Sequence, residues 1–228
     1  YNCNSLTFFI INDDSELINI GSLAFGLTNI EYLNIPSKFE KFDERSLSEM
    51  DNLQRITISP FNKRFIKINN MFLLSKSEIE NEEYDSLILS DKNIDEIEIP
   101  AEVKHISAFA FEKCLNLRKI KFNDSNLITV GKDAFIECIS LEKLIFPSSI
   151  SSFSSFQFSN FNECSLLEHI TFPPSIEEIV DYAFYKCHKL KTVIFLESSQ
   201  LKSINEYTFS FSSIENITIP SKVKIIKS

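Results

Sequence analysis

The sequence predicts an α/β solenoid of about nine stacked units over residues 1–228, each unit a short strand followed by helical turns. Three observations lead there. Proline recurs at a fixed interval: Pro36 and Pro60 are 24 residues apart, Pro147 and Pro173 are 26, and Pro100–Pro147 and Pro173–Pro220 each span 47. Cysteine keeps the same step, since Cys114, Cys138, Cys164 and Cys187 are separated by 24, 26 and 23 residues. Segments aligned on these residues then read alike, IEIPAEVKHISAFAFEKCLNL from Ile97 and ITFPPSIEEIVDYAFYKCHKL from Ile170.

Each part of the unit has a physical reading. The opening I-x-I/F has a period of two, which places two side chains inward and one outward on a short strand. The proline after it ends the ladder, because it lacks an N–H and forces its predecessor extended. V/I-x-x-I returns apolar side chains to the core. A-F-x-x-C-x-x-L, spaced by threes, fits one or two turns of α- or 3₁₀-helix packing inward. A single unit cannot bury its own apolar face, but stacked units can. Further copies open at Leu33, Ile56, Leu144, Val193 and Ile217.

Composition narrows the function classes. With 43% hydrophobic residues the chain can build a continuous core, which argues against disorder. Only 3 Gly speak against phosphate-cradling glycine loops, and a net charge of −9 speaks against nucleic-acid binding. No apolar run is long enough for a membrane-spanning helix. The chain opens at Tyr1 without a basic or apolar leader and reads as a stretch of a longer protein.

The I-P-x-x-V-x-x-I-x-x-x-A-F-x-x-C-x-x-L core resembles the BspA-like leucine-rich repeats, whose unit is about 23 residues. The resemblance covers nearly the whole chain. It implies a leucine-rich-repeat solenoid with a curved parallel sheet on the concave side and short helical turns or loops on the convex side. Residues 61–90 depart from the pattern. They resemble a β-hairpin-like insertion replacing the A-F-x-x-C segment, with the acidic run Glu78–Asp85 as its exposed tip. The unit after Ile150 carries about three extra residues, expected to bulge on the convex side. The last unit stops after its V-x-x-I.

The outward strand positions are the candidate ligand-binding residues: Tyr32, Arg55, Glu96, Glu98, Lys119, Lys121, Lys143 and His169. Their chemistry changes between units while the inward positions stay aliphatic, and a mixed face of this kind suits a protein partner. The cysteine slot holds Met50 and Ser212 in other units, so its spacing reads as buried free thiols rather than a disulfide or zinc framework. Asp91, Asn93, Asp95 and Glu102 match a calcium-loop spacing, but Glu96 stands where the sharp turn needs Gly. His188 beside Cys187 has no recurring orienting partner for a nucleophile pair. Asn123 and Asn216 open N-x-S/T glycosylation triplets. No cofactor, metal or catalytic set is indicated.

The resemblance implies a protein-binding module of a cell-surface or secreted adhesin, attaching to host cells or matrix proteins. An intracellular scaffold using the same face is the alternative, and self-association of exposed unit edges is a further option. An enzyme built on the insertion would need a catalytic constellation, and only acidic and apolar residues stand there.

Overall fold

The computed structural model describes residues 1–122, 126–150, 152–153 and 161–228, and it forms two compact units, 1–84 and 85–228. Asn123 and most of the bulge expected after Ile150 lie outside the described residues.

In the 85–228 unit the I-x-I/F segments form a five-stranded parallel sheet. Its strands are Glu96–Ile99, Lys119–Phe122, Lys143–Ile145, His169–Phe172 and Thr192–Phe195, in chain order across the sheet. The register is that of the repeat. Ile120 faces Ile97, Leu144 faces Ile170, and Ile170 faces Val193, all five buried. Proline then turns the chain, its carbonyl accepting from the third residue on: Val103 N from Pro100 at 3.1 Å, Val223 N from Pro220 at 3.1 Å. A second, shorter parallel ladder follows, through Ser86–Ser90, His105–Ile106, Thr129–Val130 and Ser152–Phe153. Glu178–Ile179, Ser203–Ile204 and Ile225–Ile226 form another such ladder.

The expected helical turns are absent from the described residues: the A-F-x-x-C segments are successions of tight turns. Apolar residues every third position satisfy either geometry, and backbone pairing decides. In a helix, consecutive N–H groups bond to carbonyls four residues back. Here Phe109, Phe111 and Lys113 instead donate to Lys132, Ala134 and Ile136 of the next coil, at 3.1, 2.8 and 3.0 Å. Tyr182, Phe184 and Lys186 do the same to Glu206, Thr208 and Ser210. The alternation requires left-handed residues four apart, such as Phe109 and Lys113 (φ 60° and 55°), Asp133 and Glu137, and Tyr182 and Lys186.

Inside these turns the phenylalanines stack coil upon coil. Phe111, Phe135, Phe161, Phe184 and Phe209 make one series with centroid separations of 5.2, 5.8, 5.1 and 5.5 Å. Phe146, Phe172 and Phe195 make a second. The cysteines form a third row. Cys138, Cys164 and Cys187 donate Sγ–H to the carbonyls of Phe111, Phe135 and Phe161, at 3.1, 3.4 and 3.0 Å. All four repeat thiols are free and buried, and Cys3 is exposed. Burial pushes Cys114 and Cys187 up to about 12, and Cys138 and Cys164 well above the ordinary thiol value.

In the 1–84 unit Tyr32–Ile35 pairs in parallel with Arg55–Ile58, and Asn19–Ile20 with Lys41–Phe42. The insertion is a true antiparallel hairpin, Phe65–Ile68 with Phe72–Ser75. Its tip is not the acidic run. The turn is made by Asn69 and Asn70 (φ 50° and 56°), a left-handed pair that asparagine tolerates and that matches strand twist. Glu78–Glu83 lie in the loop after the hairpin, exposed at each glutamate. Buried Asn62 ties this region down. Its amide donates to the carbonyls of Pro36 and Phe39, and its Oδ1 accepts from the N–H groups of Arg64 and Phe65.

Candidate functional site

The outward face of the five-stranded sheet is set by the pleat. Because Ile97, Ile120, Leu144, Ile170 and Val193 point into the core, their neighbours on each strand point out. Register then aligns two outward rows. One runs Glu96, Lys119, Lys143, His169, Thr192, and the other Glu98, Lys121, Ile145, Thr171, Ile194. The structure thus brings six of the candidate residues onto one face: Glu96, Glu98, Lys119, Lys121, Lys143 and His169. All six are exposed.

The face changes character along the rows. Two glutamates stand directly opposite two lysines at one end, a favourable cross-strand pairing. Beyond Lys143 the second row turns apolar, with Ile145 and Ile194 at 49% and 47% exposure on either side of Thr171. At the strand entrances Arg118 Nε donates to Glu142 Oε1 at 3.0 Å, which holds the guanidinium above its ordinary range.

Tyr32 and Arg55 come together in the 1–84 unit, where they are register partners. Tyr32 is half-buried and its hydroxyl lies 2.6 Å from Thr57 Oγ1, so it is partly committed to its own sheet. Asn34, beside it, exchanges bonds with both backbone groups of Ile11. Asn216 is exposed but sits in a stretch, 212–220, without an assigned strand. His105 bonds Thr129 through Nδ1 at 2.9 Å, and His188 is exposed.

Sequence reasoning missed an aromatic group on the turn side, exposed Tyr182, Tyr207 and Phe211 with half-buried Tyr185. The available signal was an aromatic directly before the Ala or Thr of A-F/T-F at Tyr182 and Tyr207. It also missed a groove of about 350 Å³ in the 1–84 unit, lined among others by Ile18, Phe39, Phe61 and Ile79.

Comparison with known proteins fits this geometry. The family described as BspA type leucine-rich repeat region, in six copies, matches over residues 1–88, 82–163 and 159–228. The chain belongs to this family. BspA-type repeats are a non-enzymatic repeat fold, and leucine-rich repeat modules generally mediate protein interaction. A leucine-rich repeat protein from Eubacterium ventriosum has a similar structure, with a TM-score of 0.74 at 22% identity over 99% of this chain and 63% of that one. A leucine-rich cell surface protein from Faecalibacterium prausnitzii gives 0.64 at 24%, over 85% and 54%. The pneumococcal vaccine antigen PcpA gives 0.58 at 22%, over 95% and 56%. The chain therefore spans less than two thirds of the length of each of these relatives. No curated protein matches it. Among the described residues no helix is long and apolar enough to cross a membrane.

Proposed function

We propose that this BspA-type array, about nine repeats running through residues 1–228, binds a protein ligand through its outward strand positions. In this reading it serves a cell-surface or secreted adhesin that attaches to host cells or matrix proteins. The observation that carries the binding role is the contrast between register-matched columns. The inward column reads Ile, Ile, Leu, Ile, Val, while the outward column beside it reads Glu, Lys, Lys, His, Thr. A rigid repeated scaffold presenting varied outward side chains is how solenoids serve recognition. Lys119 and Lys121, flanked by Glu96, Glu98 and the apolar Ile145, offer the mixed polar and apolar chemistry of a protein interface.

Support for the surface placement comes from the relatives, one of which is described as a cell surface protein and another as a vaccine antigen. Asn216 is kept as a glycosylation acceptor in a secreted parent, and Asn123 likewise.

The test is binding of the purified chain to host epithelial cells and to immobilised fibronectin and fibrinogen, alongside a Lys119→Glu/Lys121→Glu variant. The proposal expects saturable binding that the variant weakens about tenfold or more. Binding that the variant leaves intact would move the site off this face. Absence of binding to every surface would overturn the adhesin reading.

A further inference from the structure

Four aromatic rings on the turn side of the 85–228 unit form a continuous group, three of them exposed and Tyr185 half-buried. Tyr207 stacks on Tyr182 at 5.1 Å and 18°. Tyr182 meets Tyr185 edge-on at 5.5 Å, and Tyr185 meets Phe211 edge-on at 5.4 Å. Tyr182, Tyr207 and Phe211 are 43%, 48% and 65% exposed.

The fold does not require aromatics at these positions. Tyr182, Tyr207 and Phe211 have φ of 60°, 54° and 62°, a backbone region that is costly for bulky side chains. Equivalent left-handed positions in other coils carry Phe109, Lys113, Asp133, Glu137, Glu163 and Lys186, so charged residues satisfy the same backbone. Left-handed Phe109 is buried, whereas at Tyr182, Tyr207 and Phe211 the left-handed backbone carries exposed rings, a combination of features found at functional surfaces.

The patch also has a sign. Asp181 and Glu206 directly precede Tyr182 and Tyr207 and are exposed. Two bonds hold them side by side: the Glu206 N–H donates to the Asp181 carboxylate Oδ1 at 2.9 Å, and the Tyr182 N–H to the Glu206 carbonyl at 3.0 Å. One cation already rests there. Lys186 Nζ lies 5.3 Å from the centroid of Tyr185 and pairs with Glu163 at 2.8 Å.

We propose that this aromatic and acidic patch docks an arginine-bearing segment of a partner protein. The guanidinium would lie on the Tyr182–Tyr207 rings and meet the carboxylates of Asp181 and Glu206. Planar, weakly hydrated guanidinium groups suit ring faces and carboxylates together better than ammonium groups do. Tyrosine and arginine are also the side chains that concentrate binding energy at protein interfaces. The surface is separate from the outward strand face and does not depend on it.

Fluorescein-labelled peptides test this by anisotropy with the whole chain: an octapeptide of alternating Arg and Gly, and its Lys and Glu counterparts. Because the chain carries a net charge of −9, any basic peptide feels a general attraction. The decisive variant therefore keeps the charge: Tyr182→Asn/Tyr207→Asn, with asparagine chosen because it tolerates the left-handed backbone. The proposal expects the Arg peptide to bind more tightly than the Lys peptide. It also expects about a tenfold loss in the tyrosine variant and a similar loss in Asp181→Asn/Glu206→Gln, with no loss in Lys119→Glu/Lys121→Glu. Equal binding to wild type and the tyrosine variant would overturn it. A concentration-dependent dimer that Tyr182→Asn/Tyr207→Asn dissolves would also overturn it, assigning the patch to a second copy of the chain.

Discussion

The regular coils of 85–228 and the hairpin region of 60–84 solve the same problem differently. In the coils, side-chain rows repeat, and backbone donors of the turns alternate between a partner in their own turn and one in the next coil. Stability there is distributed over stacked phenylalanines, buried thiols and inter-coil bonds. In the hairpin region the repeat motif is missing, and a single buried side chain, Asn62, satisfies four backbone groups at once. A repeated scaffold spreads its dependence, whereas an insertion concentrates it.

The largest test of this contrast is alkaline pH. A thiol whose folded value lies above its unfolded value favours folding fully below the unfolded value, near 9. That contribution is lost as pH climbs toward about 12. Four buried repeat thiols lie in 85–228, while 1–84 contains only exposed Cys3. Urea unfolding between pH 8 and 10.5 should show stability of the coils falling by about 1 kcal/mol per buried thiol per pH unit once above 9. A Cys138→Ser/Cys164→Ser variant should show a shallower slope. An unchanged slope would remove the thiol row from the account.

Next come core truncations. Phe135→Ala, in the middle of the stacked series and fully buried, should cost about 3–5 kcal/mol. Phe61→Ala, with the ring 73% exposed, should stay within about 0.5 kcal/mol. Asn62→Ala should cost about 1–3 kcal/mol, by leaving buried backbone groups unpaired. If Asn62→Ala were neutral, the hairpin region would have another anchor. Glycine gives the smallest pair. A Cβ on Gly131 would lie 2.3 Å from Ala108 N, so Gly131→Ala should cost about 1–3 kcal/mol by overpacking. Gly21→Ala has nothing within 4 Å and should be tolerated. Thermal melts compare the two.

Much of this was legible in the sequence. The proline and cysteine intervals and the inward I-x-I/F positions follow from periodicity, the outward rows follow from alternation, and the hairpin within 61–90 comes only from the resemblance to such arrays, since that stretch breaks the period. The turns were misread for a physical reason. Spacing by three reports which side chains face inward, not whether an N–H bonds within its own segment or to the next coil. Glycine, the usual marker of left-handed backbone, is absent from these positions, where Tyr182, Lys186 and Glu137 stand instead. The acidic run was misplaced because exposure and charge mark a loop without marking which loop closes the hairpin. The aromatic patch was hidden because exposed and core aromatics look alike until burial is known.

The central claim is the proposed one, that adhesive attachment to host or matrix protein runs through the outward strand positions, apart from the aromatic patch on the turn side. Two charge-matched variants separate these surfaces: Lys119→Glu/Lys121→Glu on the strands, and Lys113→Glu/Lys189→Glu on the turn side. Binding of both to immobilised fibronectin should be measured against the unmodified chain. The account predicts that the strand variant loses about tenfold or more while the turn variant keeps its affinity. Equal losses in both, or loss in the turn variant alone, would contradict it.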